Sequence, residues 1–330
     1  MPEVVDAHMH VPRLSTVSDA WFQWAVAYAK DAPWRDVFDA SGNAVPAKLE
    51  ALLDREGVSR ALLFAEYSPR TTGLQPAEDL LPLIEHNPDR FSLVANVNPL
   101  VHEDPAAEAR RQIGLGAVAV KVHAVHGGFD PRDPKMYRVY ELCAEAGLPV
   151  VTHTGPSIFP GSQAERGHPE IMAEVADRFP GMDLVLAHGG RGHWYAQAAR
   201  MALERDNVWL DLAGLPPKRL PEYYAGFDIE RLAGRWIFGT DWPGVPGIAA
   251  NVRALGALGV SPDALAAVLG GNARRVYPTG RLAIALAVAS DCCASRSSSR
   301  SRTFSATRSG SGSAASLRAT WTSNRRASSS

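Results

Sequence analysis

The feature that most constrains this chain is an alternation of short apolar runs with longer amphipathic ones, sustained for most of its length. Val4 to His10, Ser59 to Ala65, Phe91 to Val97, Gly116 to Lys121, Pro149 to His153, Asp183 to His188, Val208 to Leu212 and Arg235 to Phe238 read as strands. Several are continuously apolar, as strands buried on both faces are. Helices are expected over Pro46–Glu56, Pro76–His86, Pro105–Leu115, Met136–Ala146, Pro169–Phe179, Trp194–Glu204, Pro246–Leu258, Ser261–Leu269 and Asn272–Val276. Gly57, Asn87-Pro88 and Gly147 supply stop signals. Strands exchanged with helices imply parallel crossovers, and eight such units closing on themselves make a (β/α)8 TIM barrel. An open doubly wound sheet would carry a Gly-rich phosphate turn after the first strand, and none is present.

Two segments break the rhythm. Residues 11–45 form an insert rich in aromatics (Trp21, Phe22, Trp24, Tyr28, Trp34), expected to build the pocket, its lid or a rim helix. Residues 282–330 hold seven arginines against one aspartate, and residues 290–330 hold fifteen serines. That composition cannot bury enough apolar surface to offset the entropy of ordering it. The expected organisation is therefore a barrel over 1–281 followed by a disordered Ser/Arg-rich tail. With a net charge of −1 for the whole chain, the barrel carries −7, which gives no reason to expect a nucleic-acid partner. Cys143, Cys292 and Cys293 show neither disulfide nor metal-site spacing. No signal peptide or membrane span is apparent, so a cytoplasmic protein with a small-molecule substrate is expected.

Polar residues gather at the carboxyl ends of the strands, where such barrels keep their sites. His8 and His10, one residue apart, point the same way from the first strand, about 6–7 Å apart by the strand rise. His153 ends the fifth strand, His188 the sixth and Asp241 follows the eighth. Five such groups at four strand ends are poor core filling, because unpaired polar groups are costly to bury. Imidazole and carboxylate are metal donors, so a metal site is expected.

The motifs DAHMH, VTHTG, LAHGG and GTDWP, in this order, resemble the amidohydrolase superfamily. More closely, they resemble the amidohydrolase-related group that includes aminocarboxymuconate-semialdehyde decarboxylase. The resemblance covers roughly residues 3–278. It implies one divalent metal, usually zinc, held by His8, His10, His153 and Asp241, with His188 orienting or deprotonating the metal's water. It also implies two alternatives for Lys121. Carboxylated, Lys121 would bridge two metals; in the expected one-metal site it is a cation for a substrate carboxylate, or a core lysine paired with Glu66. His123, His126, Arg191 and Trp24 are candidate substrate contacts, Arg191 as a bidentate carboxylate clamp. The expected reaction is hydrolysis of an amide, ester or lactone of a small organic acid. Non-oxidative decarboxylation of an unsaturated or aromatic acid is the alternative, and a non-catalytic metal-binding barrel the third. Relatives often form homodimers.

Overall fold

The computed structural model describes residues 2–278. The expected tail, with Cys292 and Cys293, lies outside the described residues. Ten strands are β1 (Val5–Met9), β2 (Arg60–Phe64), β3 (Glu66–Ser68), β4 (Gly73–Gln75), β5 (Phe91–Val97), β6 (Ala119–Val122), β7 (Val150–His153), β8 (Leu184–Ala187), β9 (Val208–Asp211) and β10 (Trp236–Ile237). Eight form one sheet in the order β1-β2-β5-β6-β7-β8-β9-β10, each pair parallel. Its two ends are joined by backbone hydrogen bonds. Ala7 N donates to Phe238 O, Asp241 N to His8 O and His10 N to Trp242 O. The sheet is thus a TIM barrel, as the alternation predicted.

Local chemistry explains the elements. The helix Pro46–Glu56 opens with proline, where a missing N–H is harmless, buries Leu49, Leu52 and Leu53 on one face, and ends at Gly57 in the left-handed region (φ 73°). The helix Pro105–Gly114 is capped by Asp104, whose carboxylate accepts from Ala106 N and Ala107 N. One buried apolar cluster takes residues from all eight barrel strands and includes Val276 and Tyr277; a larger one includes residues of both strands and surrounding helices.

Three expectations are corrected. Pro169–Phe179 is a 3-10 turn, Pro169–Met172, running into a short helix, Ala173–Arg178. Two helices that were not foreseen, Leu220–Tyr223 and Ile229–Ala233, fill the stretch between β9 and β10. The eighth strand is two residues long rather than four. Beyond it the backbone closes on its neighbours at Gly239, where a Cβ would stand 2.6 Å from Asp211 Oδ1 and 2.9 Å from His8 Cβ; only glycine permits that approach.

The aromatic insert both packs on the rim and walls the pocket. Its helix Asp19–Ala29 is capped by Ser18 and buries Trp21 against Phe22, Trp24 and Trp34. The antiparallel hairpin β3–β4 touches the insert through a bridge from Gly73 to Val17. Among the described residues, no helix is long and apolar enough to cross a membrane.

Candidate metal centre

His8 lies near the end of β1 and His10 just beyond it, their ring centroids 5.2 Å apart. Asp241 Oδ1 is 3.2 Å from His10 Nε2 and 3.8 Å from His8 Nε2. His188, directly after β8, faces His8 at 5.2 Å and His153, the last residue of β7, at 4.5 Å between ring centroids. Lys121 on β6, His123 after it, Arg191 and Trp24 line the same pocket as these five. His188 and Asp241 both have positive φ, 66° and 65°; among the described residues Lys30 is the one other non-glycine that does. Such backbone costs of order 1–3 kcal/mol per residue and gathers at functional sites. Here it turns two side chains from their strand ends toward the first-strand histidines.

Hydrogen bonds decide which nitrogen of each ring faces the centre. His8 Nδ1 is 2.5 Å from Asp211 Oδ2, while Asp211 Oδ1 accepts from Ala213 N at 2.8 Å. Burial pushes the Asp211 carboxyl up to about 7, against the Ala213 N–H and the Lys121 charge, which favour the ionised form. An ionised Asp211 can only accept, so with it His8 carries its proton on Nδ1 and turns the Nε2 lone pair inward. His153 Nδ1 is 3.1 Å from His123 Nε2, and His123 Nδ1 is 3.1 Å from Glu66 Oε2. A carboxylate can only accept, so His123 donates from Nδ1, accepts at Nε2, and leaves the His153 Nε2 lone pair free. His188 donates from Nδ1 to Ala213 O at 2.8 Å, which exposes its Nε2 lone pair as well.

Burial lowers the pKa of the His8, His153 and His188 rings, with Lys121 adding to it at His8, His188 at His153 and Arg191 at His188. Neutral imidazole is the form that can ligate a metal or accept a proton. At Asp241 burial alone would raise the carboxyl, yet the His10 hydrogen bond and the His188 and His8 rings hold it well below the ordinary carboxylate range.

The Nε2 atoms of His8 and His153 are buried and have no hydrogen-bond partner among the described residues. Buried polar atoms are rarely left so, and two inward lone pairs beside an ionised carboxylate are what a divalent cation satisfies. The residues fit a metal. His8, His10 and Asp241 bring one donor atom each to within 4.8 Å of one another, and so do His123, His126 and His153. In the second group the bonds to Glu66 and His153 occupy both His123 nitrogens, and His126 Nε2 is 2.7 Å from Ser157 Oγ. The first group, with His153 facing it across His188, is therefore the candidate metal centre.

The structure corrects one pairing. Glu66 lies against His123 rather than Lys121, whose Nζ sits 5.2 Å from the Phe64 ring centre. The same Phe64 ring stacks on His8 at 4.2 Å. Burial lowers the Lys121 amine to about 8 even though Asp211, Asp241 and Glu66 pull it up. Arg191 reaches Pro156 O at 3.3 Å, so half of its fork is tied to the backbone. Trp24 packs on Gly244 and contacts Phe159. Asp211 was missed from the sequence. The available signal was an acid at the end of the otherwise apolar strand Val208–Leu212.

The protein-family model described as Amidohydrolase matches residues 5–279. Among curated proteins, none matches this chain in sequence. Solved structures do. An uncharacterised TIM-barrel protein from Bordetella bronchiseptica is 20% identical, with a TM-score of 0.68 over 86% of this chain and 99% of that one. A 5-carboxyvanillate decarboxylase from Novosphingobium aromaticivorans, solved with manganese and 4-hydroxy-3-methoxy-5-nitrobenzoic acid, is 15% identical, with a TM-score of 0.58 over 83% and 95%. A probable 2-pyrone-4,6-dicarboxylic acid hydrolase from Acinetobacter baumannii, with citric acid bound, is 16% identical, with a TM-score of 0.56 over 83% and 98%. At these identities the likeness establishes a shared fold. The family match spans nearly the whole described barrel and every strand-end residue above: the chain belongs to the Amidohydrolase family.

Proposed function

We propose that this chain is a metal-dependent hydrolase that cleaves an amide, ester or lactone of a small organic acid. His8, His10, His153 and Asp241 would hold one divalent ion. Imidazole and carboxylate donors suit zinc, and the manganese in one neighbour makes manganese the second ion to load. When bound, such an ion lowers the pKa of water toward 7 and polarises a carbonyl.

The observation that carries hydrolysis is the state of His188. Its Nδ1–H is pinned to Ala213 O, and burial with Arg191 nearby keeps the ring unprotonated. It is a base aimed into the pocket, able to take a proton from water and return it to a leaving group. Lys121 and Arg191 give the pocket two cations, and both of its acids, Glu66 and Asp241, are already engaged by imidazoles. An anionic substrate is therefore favoured over a cationic one. Trp24, Phe159 and Ile158 offer an apolar wall for its body.

Decarboxylation is the second reading, and one observation favours it. A lysine lowered to about 8 can deliver a proton near neutral pH, and with Arg191 it can hold a carboxylate about to leave. The two are separated by incubating zinc- and manganese-loaded protein in ¹⁸O-water with lactones, esters and aromatic acids. Isotope in the product carboxylate supports hydrolysis. Release of CO2 without isotope in the product supports decarboxylation and overturns the first reading.

A further inference from the structure

We infer that Glu66 acts on the metal centre from a distance, as a positioning residue that fixes the His153 ligand through His123. The inference rests on the metal-centre reading above. Glu66 belongs to β3, outside the barrel, and none of the strand-end motifs contains it. Its Oε2 stands 3.1 Å from His123 Nδ1, and His123 Nε2 stands 3.1 Å from His153 Nδ1. The two rings are nearly parallel, 4.8 Å apart and 23° inclined. All three residues are buried, and His153 Nε2, at the far end, has no partner.

The chain of protons has only one consistent direction. Each neutral ring carries one N–H, and the carboxylate has none to give. Glu66 thus forces the His123 proton onto Nδ1, His123 Nε2 becomes an acceptor, and the His153 proton is drawn to Nδ1. Without the charge on Glu66, both rings can adopt the reverse tautomer. His153 then carries its proton on Nε2, the atom that would face the metal, and the lone pair is lost. His126, tilted against His123 with ring centres 3.7 Å apart, does not enter the relay, because both His123 nitrogens are already engaged and His126 Nε2 is bonded to Ser157. Asp211 does for His8 in one step what Glu66 does for His153 in two. Partners of this kind tune ligand basicity and orientation, and their loss costs about 10–100-fold in metal affinity. The same hairpin carries Leu74 into the pocket wall, so one segment bears both a pocket-lining residue and the acid of the relay.

The test uses the full chain stripped of metal and titrated with Zn2+ alone, then Mn2+ alone, against a chromophoric chelator. The proteins are the parent, Glu66→Gln, Glu66→Asp, His123→Leu and the Glu66→Gln/His123→Leu double variant, with Asp211→Asn as a comparison. Melting of each metal-free protein is recorded alongside. Glu66→Gln and His123→Leu are expected to weaken both metals about 10–100-fold, and Glu66→Asp, which keeps the charge, to recover part of the loss. Steps in series do not add, so the double variant is expected to bind like His123→Leu alone. Unchanged affinity in Glu66→Gln, or losses that multiply in the double variant, would overturn the relay while Asp211→Asn still reports on the centre. If His123→Leu does not fold, Glu66→Gln against Glu66→Asp decides: no difference between them overturns the proposal. A parent that binds neither metal overturns both this inference and the reading beneath it.

Discussion

Asp211 Oδ2 and His8 Nδ1 lie 2.5 Å apart, across the two-residue strand β10. The contact exists because Gly239, just past that strand, lets the backbone run against both side chains. It fixes a buried ring whose other nitrogen has no hydrogen-bond partner among the described residues.

Replacing Asp211 by Asn keeps the shape and removes the charge. Metal affinity is expected to fall about 10–100-fold, as for other carboxylates behind ligand histidines. Competition against a chelator measures it; affinity within twofold of the parent would show that His8 does not need this partner.

His188 is expected to set the acidic limb of the pH–rate profile. Burial and then Arg191 lower its pKa well below the ordinary 6.5. The unprotonated, active form is then populated down to lower pH than a free imidazole allows, so the limb in kcat/KM should lie below pH 6.5. His188→Asn should reduce kcat by about 10²–10⁴-fold, the usual worth of a general base, without changing metal content. A limb centred above 6.5 that survives the substitution contradicts the assignment.

Lys121 is expected to cost stability. Its amine is fully buried and lowered from 10.5 to about 8. The penalty is absent above the unfolded value of 10.5, grows as pH falls and is complete below about 8, where it amounts to about 3 kcal/mol. Metal-free Lys121→Met should therefore melt several degrees above the parent at pH 7, and the gain should shrink toward pH 10.5. A gain that is the same at both pH values would show that ionisation is not its source.

Gly244 and Trp24 form a lock on the pocket wall. An added Cβ at Gly244 meets the Trp24 indole directly. Gly244→Ala is expected to displace the ring, shift tryptophan emission and destabilise the protein by about 1–3 kcal/mol, as overpacking does. Unaltered emission and melting would show that the wall yields freely.

Most of the barrel was legible because its signals are local. Continuous apolar runs, prolines at helix starts and glycines at helix ends each act within a few residues. The stretch between β9 and β10 was not, since Leu220–Tyr223 and Ile229–Ala233 are too short to show a helical period. The strand-end residues His8, His10, His153, His188 and Asp241 could be nominated because strand parity and the carboxyl-end rule turn positions into directions.

The sequence by itself determined the alternation, and through it a barrel with histidines and an aspartate at one mouth. Only the tertiary structure decided which ring nitrogen faces inward. That depends on acceptors distant along the chain: Asp211 for His8, 203 residues away, Glu66 for His123, 57 away, and Ala213 O for His188, 25 away. A ring's tautomer is set by what touches its other nitrogen, and contacts of that kind exist only once the strands have closed.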